Sequence, residues 1–319
     1  MPHSRRTFLA GVGAMGAIAG LPRAAHASCP FRVAVINDEI SQDFDHACYV
    51  AAHDFGLEWI ELRGMWNKNI TDLDAAQTSE ALAILAKYKL RVTDIASPLY
   101  KTDWPGAPLS KQSDRRDQFH ADFDFKQQDA LLEHCVGIAK TFRTDRIRCF
   151  DFWRLDDVKP YREAINDKLR KAARCCAKSD LILLLENEME CNTATGKESA
   201  ATLAAVQEPN FMLNWDPGNA ATFPNSMPFP DGYNLLPKRR IGHCHAKSVI
   251  RKPDGKWEWA AVGTGVVDWV GQLRALDRDG YRHAVSLETH WRGAGTPEAS
   301  SRISMKGLKD ALAKAGTGC

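Results

Sequence analysis

The sequence predicts an α/β protein of one domain, a (β/α)8 (TIM) barrel. Three observations lead there. Eight short apolar runs recur along the chain, most of them continuous rather than alternating, as expected for strands buried on both faces. Helical patterns lie between them, and Gly56, Asp145, Asp180 and Gly280 punctuate the returns from helix to strand. The turn after the first run, Asn37-Asp38-Glu39-Ile40-Ser41-Gln42-Asp43, holds no glycine, which argues against an open doubly wound sheet of the dinucleotide-binding kind.

In chain order the expected strands are 31–37, 58–63, 91–97, 146–151, 181–186, 211–216, 240–245 and 284–288. Expected helices include 45–55, 79–88, 117–141, 160–178 and 269–279. Eight such alternations fit the usual span of roughly 250 residues for a closed barrel. Residues 28–319 are therefore assigned to the barrel.

Residues 1–27 are set apart. Ser4-Arg5-Arg6-Thr7-Phe8-Leu9, a weakly apolar stretch to Leu21, and Ala25-His26-Ala27 have the layout of a twin-arginine signal peptide with a small-residue cleavage site. That reading implies export to the periplasm or beyond, with the twin-arginine translocase as a transient partner. Such a leader carries Arg5, Arg6 and Arg23 and no acid, so its removal takes the formal charge from +2 to about −1. No nucleic-acid partner and no stable membrane insertion are expected, and a homo-oligomer is compatible with the sequence. The nine cysteines contain no Cys-x-x-Cys, and no essential disulfide is expected.

Four runs end on a metal-competent side chain: Leu181 to Glu186, Phe211 to Asp216, Ile241 to His245 and His283 to Glu288. In a barrel the C-terminal ends of all strands open on one face, so these four would meet at one mouth. Side chains alternate with a period of two, which puts His243 and His245 on the same face, with His245 nearer the mouth. A strand-end acid taken singly is often only a helix cap; four compatible ligands on four successive strands are hard to produce by capping. Carboxylates with one imidazole suit one divalent ion, Mn²⁺, Mg²⁺, Co²⁺ or Zn²⁺.

The same residues carry a resemblance. Gly56-Leu57-Glu58-Trp59-Ile60-Glu61-Leu62, Glu186-Asn187, Asp216-Pro217-Gly218-Asn219, His245-Ala246-Lys247-Ser248, Val262-Gly263-Thr264-Gly265-Val266-Val267-Asp268-Trp269 and Gly280-Tyr281 through Glu288 resemble, in order, the motifs of the xylose-isomerase-like (sugar phosphate isomerase/epimerase) superfamily. The resemblance implies that Glu186, Asp216, His245 and Glu288 are the metal ligands, and that Glu186 and Glu288 are the catalytic acid/base pair on the two faces of a sugar. It implies carbohydrate metabolism through a metal-stabilised enediolate. Asn219 stands where epimerases of the family often have histidine, and Ser248 where they have aspartate. Asn219, Lys247, Arg251 and His290 are the expected substrate-binding residues, with Trp66, Trp104, Trp153 and Trp291 following strand ends where rings can stack on a sugar.

The expected activity is thus that of an exported metal-dependent isomerase or epimerase acting on a small carbohydrate. Two alternatives stay open: a metal-dependent lyase or hydrolase of keto-glycosides on the same barrel, and a non-catalytic periplasmic sugar-binding protein. A nuclease of the same superfamily is disfavoured, because strand three ends Ala96-Ser97-Pro98-Leu99 without the further histidines such a site needs.

Overall fold

The structure, a computed structural model, describes residues 29–111, 119, 121–223 and 225–319. The leader assigned to residues 1–27 lies outside them, as do 117, 118 and 120 of the expected third helix. The barrel strands are β1 (Arg32–Val35), β2 (Trp59–Leu62), β3 (Arg91–Ile95), β4 (Arg146–Cys149), β5 (Ile182–Glu186), β6 (Phe211–Trp215), β7 (Ile241–Ala246) and β8 (Ala284–Leu287). They pair in the order β1-β8-β7-β6-β5-β4-β3-β2, every pair parallel. A parallel bridge between Ile36 and Glu61 brings β1 beside β2 and closes the ring.

The helices are α1 (Phe44–Tyr49), α2 (Ala75–Tyr88), α3 (Gln128–Thr141), α4 (Arg162–Ala177), α5 (Gly196–Ala205), α6 (Pro217–Ala221), α7 (Trp269–Arg278) and α8 (Pro297–Ala315). Most start where side chains satisfy the free N–H groups of the first turn. Asp74 and Thr195 form capping boxes with Gln77 and Glu198, and Thr296 caps α8 ahead of Pro297. The third helix is shorter than its sequence pattern: Asp124 and Gln127 form a capping box around a single 3-10 turn, so the α-helical bonding begins only at Gln128. In α4, Ile165, Leu169, Ala172, Ala173 and Cys176 are buried and form the stripe that packs on the barrel.

Two features depart from the sequence reading. After β7 the chain makes an antiparallel hairpin, Ser248–Arg251 with Trp257–Ala260, where only a loop was expected. And the expectation of no essential disulfide is incomplete: Cys29 is bonded to Cys319 across 290 residues, while the other seven cysteines are free. The bond forms because α8, the last helix, returns its C-terminus to the bottom of the barrel where the chain enters β1. No local spacing rule sees two residues so far apart.

Candidate metal centre and active site

Parallel strands deliver their last inward side chains to one rim, and here those side chains are charged. Glu186 ends β5, Asp216 follows β6, His245 lies on β7, and Glu288 follows β8. All four are buried, and each offers one ligand atom within 4.8 Å of the others. His245 Nδ1 is the hub: Glu288 Oε2 lies 3.0 Å away, Glu186 Oε1 3.2 Å, and Asp216 Oδ2 3.9 Å.

Each carboxylate divides its oxygens between holding the fold and facing the hub. Asp216 Oδ1 caps α6 by accepting from the Asn219 backbone N–H at 2.8 Å, which leaves Oδ2 toward the centre. Glu186 Oε2 accepts from Arg148 Nη1 at 3.1 Å, and Arg148 is itself fastened to the carbonyls of Ala96 and Ser97. Glu288 Oε1 accepts from Arg63 Nη1 at 2.5 Å, while Arg63 also reaches Asp38 and Glu39. Asp216 Oδ2 and Glu288 Oε2 make no aligned hydrogen bond although both are buried. They do lie 2.9 and 2.8 Å from Lys247 Nζ, so their charge is met without directional bonding.

Burial favours neutral carboxyls, yet neighbouring cations reverse this at three of the four acids here. For Glu186, His245 and then Arg148 outweigh burial and bring the carboxyl down to about 2. Glu288 is held well below the usual range against burial by Lys247, His290 and His245, as is Glu61 by His245 and His243. Asp216 goes the other way, raised to about 6 by burial and by repulsion from Glu186 and Glu288 despite Lys247. Burial alone would lower the His245 and Lys247 values, but the surrounding carboxylates raise both.

The donor set fits a divalent ion. Three carboxylates and an imidazole nitrogen are oxygen-rich and mixed, two oxygens have no directional partner, and the anionic charge is concentrated out of water. Glu186, Asp216, His245 through Nδ1, and Glu288 would hold it.

The expected substrate-binding residues are placed as follows. Asn219 is fully buried; its Nδ2 lies 3.3 Å from Glu186 Oε1, and its Oδ1 accepts from Lys247 Nζ at 3.1 Å. His290 stands at the rim with φ 47°, its Nδ1 2.9 Å from Glu39 Oε1 and its Nε2 3.5 Å from Glu288 Oε1. Arg251 is turned to the backbone: it donates to the carbonyls of Ala221, Phe223 and Ser226 and fastens the segment after α6. Trp66, Trp104 and Trp153 pack among rim aromatics, against Phe44, Phe125 with Phe152, and Phe150 respectively.

Sequence reasoning passed over several residues that shape this centre. Trp259, on the unexpected hairpin, has its ring 5.1 Å from Lys247 Nζ and 5.3 Å from the His290 ring. Glu61, Arg63 and Arg148 are buried ionisable side chains of β2 and β4 or the residue just after. Their signal was a charge inside an otherwise apolar strand run, which strand parity places inward beside the four ligands.

The fold matches known proteins over most of the chain. The family model "Xylose isomerase-like TIM barrel" matches residues 49–311. A xylose isomerase-like TIM barrel protein from Mycobacterium smegmatis, solved in complex with magnesium, is 15% identical with TM-score 0.63, covering 86% of this chain and 89% of that one. A D-allulose 3-epimerase from Methylomonas sp. is 18% identical with TM-score 0.63, covering 89% and 98%. A probable 3-DHS dehydratase from Bacillus anthracis is 21% identical with TM-score 0.62, covering 88% and 99%. No curated protein sequence matches the chain.

Proposed function

The chain belongs to the xylose isomerase-like TIM barrel family, and on that premise we propose that it is a divalent-metal-dependent sugar isomerase or epimerase. The observation that carries the reading is the convergence of Glu186 Oε1 and Glu288 Oε2 on one nitrogen, His245 Nδ1, at 3.2 and 3.0 Å. Two carboxylates from β5 and the end of β8 thus face each other across one point of the mouth.

A divalent ion bound there supplies Lewis-acid polarisation of a carbonyl and its neighbouring hydroxyl. The protein supplies the proton transfers and the orientation. Glu186 and Glu288 are both held ionised, Glu186 chiefly by His245 and Arg148 and Glu288 chiefly by Lys247, so either can accept the proton on the carbon beside the carbonyl. Returning that proton to the adjacent carbon is isomerisation; delivery by the opposite carboxyl to the other face is epimerisation. Asn219 and Lys247, bonded to each other, and His290 at the rim would orient substrate hydroxyls.

One observation favours a second reading, loss of a β-substituent from the same deprotonated carbon. Lys247 is a buried ammonium beside Asp216 and Glu288, a fixed positive charge that would stabilise the negative charge developing on a departing oxygen. Turnover of candidate keto-sugars in D₂O separates the two: carbon-bound deuterium in recovered sugar supports isomerisation, and release of the substituent supports elimination. Neither outcome with the metal-loaded protein would overturn the enzymatic reading and leave sugar binding alone.

Export by the twin-arginine route to the periplasm belongs to the same proposal. It is supported by Arg5-Arg6 and by the Cys29–Cys319 disulfide, a bond that persists in oxidising compartments.

A further inference from the structure

The four proposed ligands do not complete the centre, because an imidazole with two nitrogens must be told which one to present. His245 Nδ1 faces the carboxylates, and its Nε2 lies 2.9 Å from Glu61 Oε1. The second Glu61 oxygen lies 3.1 Å from Nε2 of His243, one inward position deeper on β7. His243 is in turn backed by Asp94 on β3, whose Oδ1 is 3.6 Å from its Nδ1. All four groups are sealed from solvent at 0% exposure. We propose that Glu61 is the positioning residue of the metal centre: by accepting N–H from both imidazoles it fixes His245 with its Nε2 protonated and its Nδ1 free to bind the ion. The inference rests on the metal reading of the site.

The physical case is one of counting. A carboxylate is acceptor-only, and both imidazole contacts are at hydrogen-bond distance to separate oxygens, so each Nε2 is driven to carry hydrogen. A neutral imidazole with hydrogen on Nε2 has its lone pair on Nδ1, which points at Glu186 and Glu288. The Asn214 amide also borders Nε2, at 3.1 Å, and its Oδ1 has no other hydrogen bond; turned over, it accepts from the same N–H. The rival use of Glu61, His243 and His245 as a second cation site requires His245 to lose both ring hydrogens and bridge two ions, at the cost of both short hydrogen bonds. Carboxylate–imidazole–metal arrangements of the kind proposed tune affinity by about 10–100-fold.

Glu61→Gln keeps size and shape but offers one acceptor and one NH₂, so it meets one imidazole N–H and opposes the other. Zinc affinity, measured by competition with a chromophoric chelator on the full-length protein, is expected to fall about 10–100-fold in Glu61→Gln and in Glu61→Ala. The thermal midpoint of the metal-free Glu61→Gln protein and its circular dichroism separate this from simple unfolding. A second measurement needs no variant: ¹⁵N NMR of the zinc-loaded wild type is expected to show His245 bound through Nδ1 with hydrogen on Nε2. Zinc affinity of Glu61→Gln within twofold of wild type, or coordination through Nε2, overturns the role of Glu61 while leaving the metal site standing. Failure of the wild type to bind one zinc overturns both.

Discussion

Lys247 Nζ lies 2.8 Å from Glu288 Oε2, and both side chains are buried. A lysine is thereby built into the set of carboxylates that would hold a cation, with Asp216 Oδ2 at 2.9 Å on its other side. In metal-free protein it is the nearest cation to Asp216, and it shares Glu288 with Arg63, whose Nη1 lies 2.5 Å from the other carboxylate oxygen.

Lys247→Met therefore leaves two buried carboxylates without that compensation. Removing one partner of such a group costs about 3–5 kcal/mol. The variant should melt well below wild type in EDTA and recover more of its stability than wild type does when Mn²⁺ is added. Paired thermal melts check this; an equal response to Mn²⁺ in both proteins would reject the compensating role.

Glu288→Gln removes an anionic ligand and proton acceptor while keeping the side chain's shape. Turnover should fall at least about 100-fold, the usual worth of a positioned acid or base. Circular dichroism should match wild type. Unchanged turnover rejects the role assigned to Glu288.

Acid should weaken the fold through His283. Burial, with Arg146 3.0 Å away and Arg32 nearby, lowers its pKa to about 4, so the native imidazole stays neutral. The unfolded chain takes up that proton near its ordinary value of about 6.5. Between about pH 6.5 and 4 the unfolded state thus holds more protons, and stability falls as pH falls. In His283→Gln that slope should flatten, as urea melts at a series of pH values will show; an unaltered slope assigns the acid sensitivity elsewhere.

Much of this was legible in the sequence, for identifiable reasons. The eight strands are continuous apolar runs, so both burial and closure into a parallel barrel follow from pattern, and Glu186, Asp216, His245 and Glu288 stand out as the polar ends of such runs. What was not legible depends on contacts between distant segments. Arg63 and Glu288 meet only because β2 and β8 flank β1 in the closed ring. Arg251 was expected to bind substrate, yet the hairpin carries it to the carbonyls of Ala221 and Phe223. The Trp257–Ala260 strand was hidden because its partner follows β7 after one intervening residue, Lys247, and reads as a continuation of that strand.

The disulfide makes a separate prediction. Cross-linking Cys29 to Cys319 constrains almost the whole described chain, and such long loops are worth up to about 5 kcal/mol in the chain-entropy account. Cys319→Ser, or dithiothreitol, should lower the thermal midpoint by several degrees without changing zinc affinity, since the bond lies at the opposite end of the barrel from the mouth. A coincident loss of zinc affinity would contradict that separation.

The most direct test is a crystal grown with Mn²⁺ and measured at the manganese edge. The account predicts one anomalous peak per chain, within about 2.0–2.6 Å of oxygens from Glu186, Asp216 and Glu288 and of His245 Nδ1. A map with no peak at that point, or with its peak on other side chains, would contradict it.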